Sequence, residues 1–147
     1  MVKAGDEVVF PDSGQRIIFR QTAADTAGAL LEVESVLPVG SERPMPHYHP
    51  QQEEHFTVLS GTVRVSLGGE ERIYGSGESF VVPAGVVHEM NNGGDEEARI
   101  NWQIRPALRT AEFFLAVPRV LANPELMGAA LAEFAPEMRI VGMPQLA

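Results

Sequence analysis

The segment HYHPQQEEHF, residues 47–56, holds three of the chain's four histidines and two glutamates. Imidazoles and carboxylates gathered this densely suit a divalent cation, and the chain has no cysteine, so any metal must be held by nitrogen, oxygen and water. His47 and His49 are two residues apart, so on an extended strand both side chains leave the same face. On a helix the same spacing would send them apart. Pro50 biases His49 toward extended geometry, and Pro44 and Pro46 do the same for Arg43 and Met45. The strand that resumes at residue 53 carries Glu54, Phe56 and Val58 on one face and His55, Thr57 and Leu59 on the other. The fourth histidine, His88, follows the turn sequence Pro83-Ala84-Gly85 and shares a face with Met90 and Asn92. If the sheet curls so that these faces converge, His47, His49, His88 and Glu54 meet at one point. Such a point suits a borderline or hard divalent ion with two open positions in an octahedral shell.

Strands must do the positioning. EVVF (7–10) and RIIFR (16–20) are short, β-branched and aromatic, and PDSGQ separates them. ALLEVESVL is a two-faced mixture. TVRVSL alternates cleanly, and Gly68-Gly69 join it to EERIY as a hairpin. ESFVVP runs into the Pro-Ala-Gly turn. VVHEM then runs into NNGGDEE, read as a second hairpin turn before ARINWQIR. Turn signals recur at roughly 8–12 residues, the rhythm of a sandwich or barrel. Beyond Pro106 the pattern becomes helical. Thr110 is a plausible N-cap, Pro118 interrupts the segment, and Asn123-Pro124 opens a second helix in which Met127, Leu131 and Phe134 form an apolar stripe. The expected role of that stripe is core. The expected organisation is a single domain over 1–147, with a β body over about 7–106 and a helical segment over about 108–136.

Bulk properties narrow the partners. The 44% hydrophobic content supports a single core, and a net charge of −9 disfavours nucleic acid and anionic membrane. The N-terminus carries no apolar run of signal-peptide length, so the cytoplasm is the expected location.

Two linked motifs resemble the cupin superfamily, and specifically its small bacterial members. The first is Gly40, His47, His49, Glu54 and Gly61, with six residues rather than five between Gly40 and His47. The second is Gly77, Pro83, Gly85, His88 and Asn92, with 15 residues between the motifs. The resemblance implies an all-β, cupin-type double-stranded β-helix, or jelly-roll barrel, with a short C-terminal helical region. It implies one divalent metal, Fe(II) first and Mn(II), Ni(II) or Zn(II) after it, on His47, His49, Glu54 and His88. The six-residue gap to Gly61 selects Glu54 over Glu53. His55 is then a surface or structural residue, and Asn92 a turn or supporting one.

Met45, Phe56, Val58, Phe80, Met90 and Trp102 are candidates to line a substrate pocket, as are Val82 and Ile104. Plain barrel core or a subunit interface is the competing assignment for each. Tyr48 should point away from its flanking histidines, which disfavours a tyrosine base beside the metal. The expected activity is that of a metal-dependent dioxygenase acting on a small enolisable or aromatic substrate, with Glu54 able to shuttle a proton. The alternatives are a metal-dependent isomerase or lyase, and a non-catalytic module that binds a small molecule or a metal. The apolar N-terminal strands suggest a homodimer paired through sheet edges.

Overall fold

The computed structural model describes residues 1–41 and 45–142. Arg43, assigned extended geometry above, and Pro44, which imposes it, lie outside the described residues. The chain runs β1 (Glu7–Val9), β2 (Arg16–Gln21), α1 (Ala23–Thr26), β3 (Leu31–Leu37), β4 (His47–Tyr48), β5 (Glu53–Ser60), β6 (Thr62–Leu67), β7 (Glu70–Gly75), β8 (Ser79–Val82), β9 (His88–Asn92) and β10 (Ala98–Arg105). Then follow α2 (Thr110–Ala122), a 3-10 turn (Pro124–Leu126), α3 (Met127–Glu133) and β11 (Arg139–Ile140).

The strands form two antiparallel sheets, in the orders β1-β2-β3-β10-β5-β8 and β11-β4-β9-β6-β7. Their inner faces share one core: Leu37, Phe56, Val58, Phe80 and Ile100 from the larger sheet pack with Val63 and Val65 from the smaller. Alternation of apolar side chains on β6 is what allows this, since Val63 and Val65 are buried while Arg64 between them is not. The β6–β7 connection is the expected two-residue hairpin, with Leu67 opposite Glu70 and both Gly68 and Gly69 at positive φ. Among the described residues no helix is long and apolar enough to cross a membrane.

Three local expectations are corrected. The turn after Asn92 does not make a hairpin: β9 pairs with β4 and β6, whereas β10 lies between β3 and β5 in the other sheet. The Gly-rich segment is a crossover between sheets, and Asn92 ties it. Its Nδ2 donates to the carbonyls of Leu37 and Glu96, and its Oδ1 accepts from the Gly94 N–H. Thr110 does not cap α2. Its hydroxyl instead accepts from Gln52 Nε2 at 2.8 Å, and the position before the helix, Arg109, offers no side-chain cap bond. Pro118 does not interrupt α2, which runs through it to Ala122.

A missing cap costs about 1 kcal/mol and an interior proline about 3. Packing must therefore hold this helix, because local propensity does not. Phe114 and Val120 are 3% and 6% exposed, and full burial of side chains this size contributes about 1.5–3 kcal/mol each. Phe114 joins Ile17, Phe19, Leu31, Val33 and Ile104 in a second core, between the helix and the larger sheet.

Candidate metal centre

Each histidine is placed by a different element. His47 lies on β4 directly opposite His88 on β9. His49 follows β4, and its carbonyl accepts a 2.9 Å bond from the N–H of Gly85, in the turn that delivers His88. That turn needs glycine, since Gly85 sits at φ +82°. The three ring centroids lie 4.4–5.2 Å apart. One ring nitrogen from each of His47, His49 and His88 falls within 4.8 Å of the others, a grouping able to hold a metal ion.

The far side of each ring is tied to the main chain. Nδ1 of His47 meets the Met45 carbonyl at 2.9 Å, Nδ1 of His49 the Glu137 carbonyl at 2.8 Å, and Nδ1 of His88 the Val86 carbonyl at 2.9 Å. A carbonyl only accepts, so each Nδ1 must carry the proton. Each neutral ring therefore turns an Nε2 lone pair inward, the tautomer a metal ligand needs.

Glu54 on β5 completes the cluster from the opposite sheet and is fully buried. Its Oε1 lies 3.1 Å from His49 Nε2 and 3.0 Å from His88 Nε2. Yet neither Glu54 Oε1 nor His49 Nε2 has a hydrogen-bond partner: the atoms are close but not aligned on each other. Lone pairs that converge without bonding leave a position that a cation would fill, so the residues fit the metal expected from the sequence. The other carboxylate oxygen, Oε2, accepts a 2.7 Å bond from Trp102 Nε1. Burial would raise the Glu54 carboxyl, but the two adjacent imidazoles outweigh it and hold the group well below the ordinary carboxylate range. Burial, with the positive neighbours His88 and His49, depresses His47 to about 4. Burial also works against protonation of His49, but contact with Glu54 prevails and its pKa is raised.

A cavity of about 360 Å³ opens on the imidazoles. Met45, Phe56, Phe80, Met90 and Trp102 line it, as do His47, His49 and His88. Val58, Val82 and Ile104 do not. Parity places Val58 on the correct face, but farther along β5 it is sealed within the shared core, as is Val82 on β8, while Ile104 packs in the second core with Phe114. Glu54, fully buried, is not in the lining either. Tyr48 is likewise outside the lining. His55 faces the exterior, 3.1 Å from Glu53.

An aromatic stack forms one cavity wall. Trp102, Phe56 and Phe80 lie opposite one another on β10, β5 and β8. Their rings stack at 5.3 Å and 4.8 Å with interplanar angles of 22° and 13°, close to the spacing between neighbouring strands. Tyr74 continues the stack at 4.5 Å from Phe80.

The C-terminal segment also lines the cavity and corrects the expectation of plain core. Phe113, Val117, Met127, Leu131, Glu137 and Ile140 all line the cavity. The segment is brought there by β11, which pairs with β4 so that Ile140 lies opposite His47. Two isolated extended residues, Arg139 and Ile140, carry no readable strand signal, and Glu137 stands outside both motifs. The helical stripe was the available clue: a face that covers the mouth of a barrel is core and cavity wall together.

The cupin domain family matches residues 33–104. The Streptomyces halstedii protein SchB is 32% identical over 91 residues, which cover 62% of this chain and 64% of that protein. The Streptomyces cyaneus "Polyketide synthase CurC" is 37% identical over 65 residues, 44% of this chain and 42% of that protein. The chain thus spans less than two thirds of the length of either relative. Among solved structures, KdgF from a Halomonas species aligns with a TM-score of 0.61 at 21% identity, over 72% of this chain and 92% of that one.

Proposed function

From the premise that the chain belongs to the cupin superfamily, we propose that it is a metal-dependent enzyme of dioxygenase type, acting on a small aromatic or enolisable substrate. His47, His49, His88 and Glu54 hold one divalent ion, iron(II) first, with manganese, nickel or zinc as the other candidates. The observation that carries this reading is the shared tautomer. Three Nδ1–carbonyl bonds turn three Nε2 lone pairs toward one point, beside an unpartnered carboxylate oxygen. When bound, the metal supplies Lewis-acid polarisation and, if it is iron, the redox couple that oxygenation requires.

The chain's own residues do the remaining work. The main-chain carbonyls fix the imidazole planes, so little reorganisation is needed on binding. Trp102 holds Glu54 by one oxygen and leaves the other for the cluster. The Trp102–Phe56–Phe80 stack presents flat apolar faces to a planar substrate, and the C-terminal lining adds further apolar surface. Because Glu54 is fully buried and outside the cavity lining, it serves better as a ligand than as a proton shuttle to the cavity.

A second reading keeps the metal but removes the redox step, giving an isomerase, lyase or cyclase. The polyketide synthase name of one relative favours it, since polyketide chains are rich in enolisable carbonyls.

The test is anaerobic purification, reloading with iron(II), and oxygen uptake against catechols and diketones. Substrate-dependent uptake that disappears in His49→Ala supports the dioxygenase. Undiminished turnover without oxygen supports the second reading. Tight metal binding with no turnover under any divalent ion leaves a binding module and overturns the enzyme.

A further inference from the structure

The parts of the cavity lining differ in origin. The imidazoles and the aromatic stack belong to the family-matched residues 33–104, whereas the C-terminal part of the lining comes from residues after that span, and Phe10, Asp12, Ser13 and Gln15 line the cavity from before it. The C-terminal lining is mainly apolar, yet it includes Glu137, which is 4% exposed and whose Oε1 has no hydrogen-bond partner.

Glu137 cannot easily turn away, because its main chain is held at both ends. Its N–H donates to the Phe134 carbonyl at 2.9 Å, and its own carbonyl accepts from His49 Nδ1 at 2.8 Å. The neighbouring cations are engaged elsewhere. Arg109 pairs with Glu133 at 2.8 Å, and Arg139 Nε donates to the Ala135 carbonyl at 3.2 Å. Gln52 and Asn91 also bury an unpartnered oxygen, but neither lines the cavity. Among the described residues, only His49 and Glu137 bring an unpartnered buried polar atom to the cavity lining. The proposed metal accounts for His49. Nothing among the described residues accounts for the Glu137 Oε1, and a buried carboxylate without a donor is unfavourable.

We propose that Glu137 is the substrate-recognition carboxylate of this cavity. It accepts a hydrogen bond from a hydroxyl that an oxygenated aromatic substrate carries away from the oxygens it offers to the metal. The inference rests on the function proposed above for the metal and for the occupant being aromatic and oxygenated. It assigns specificity to the C-terminal segment and predicts discrimination against substrates whose remote hydroxyl is missing or masked. Leaving an acceptor unpaired in the complex disfavours such analogues.

The experiment titrates the protein under nitrogen with a trihydroxynaphthalene bearing two adjacent hydroxyls and one remote hydroxyl, and with its remote mono-methyl ether. Fluorescence of Trp102, the single tryptophan, reports binding. The native chain should prefer the free hydroxyl by about tenfold or more, the effect of a hydrogen bond to a charged group. Glu137→Gln should narrow that preference, and Glu137→Leu should reduce it to about twofold or less. Metal content should be unchanged in both, since the Glu137 carbonyl that orients His49 survives. Glu137→Met stands in if the leucine variant does not fold. A leucine or methionine variant that keeps the full preference overturns the inference, as does a native chain that shows no preference or binds neither probe. Repeating the titrations after chelation separates the two claims. If stripping the metal leaves both affinities unchanged, the metal reading fails, while the hydroxyl preference still reports on Glu137.

Discussion

Three imidazoles tied by Nδ1 to main-chain carbonyls, and one carboxylate tied by Oε2 to an indole, leave little freedom at the residue scale. Trp102→Phe keeps the stacked ring but strands the buried Oε2 of Glu54. It should cost about 1–3 kcal/mol in the metal-free protein, measured by urea denaturation, and weaken metal binding about 10–100-fold. Histidine titrations in the metal-free protein should split. His47 should titrate near 4, below its ordinary 6.5, while His49 titrates above 6.5. Between those two values of pH the unfolded chain protonates His47 and the folded chain does not, so acid withdraws stability through that residue across the window from 6.5 down to about 4. The raised His49 works the other way: its contribution is complete below 6.5 and fades as pH climbs through its folded value. Ring-nitrogen NMR across this range checks both, and coincident titrations would contradict them. The convergence of His47, His49, His88 and Glu54 was legible because strand parity and turn chemistry are local. The Nδ1 partner of His49 was not, since Glu137 lies 88 residues away.

At the scale of elements, the motif glycines Gly61 and Gly77 both sit at positive φ, +81° and +86°, but they are not equivalent. A Cβ at Gly61 would fall 2.8 Å from the Ala98 Cα and the Glu97 carbonyl oxygen, whereas at Gly77 it would meet nothing within 4 Å. Gly77→Ala should cost about 1–2 kcal/mol from backbone strain alone. Gly61→Ala should cost about 1–3 kcal/mol more, because β10 itself must shift. Urea midpoints of the two variants check the order, and equal losses would refute it. The crossover after Asn92 and the unbroken α2 were misread for one reason. Turn and breaker residues report local backbone, whereas sheet membership and helix continuity are decided by packing against distant strands. Burial of Phe114 and Val120 together offsets what Pro118 removes.

At the scale of the whole molecule, pairing of two copies remains an expectation with altered grounds. Ile17 and Phe19 of the N-terminal strands, thought to need a partner's cover, are buried under α2 within the same chain. The sheet-edge strands β1, β7 and β8 instead expose Val9, Ile73 and Val81. A dimer through such an edge should give twice the chain mass of 16.0 kDa in light scattering, and Val81→Lys or Ile73→Lys should halve it if that edge is used. The strand that carries His47 is itself held from two sides. β9 grips it through one facing pair, and β11 through two, while the segment just before β11 steadies His49 through the Glu137 carbonyl. An excursion of the tail would therefore loosen the supports of two of the three imidazoles at once. If the proposed ion is held there, a chelator should strip it faster from a variant whose β11 pairing is broken than from the native chain.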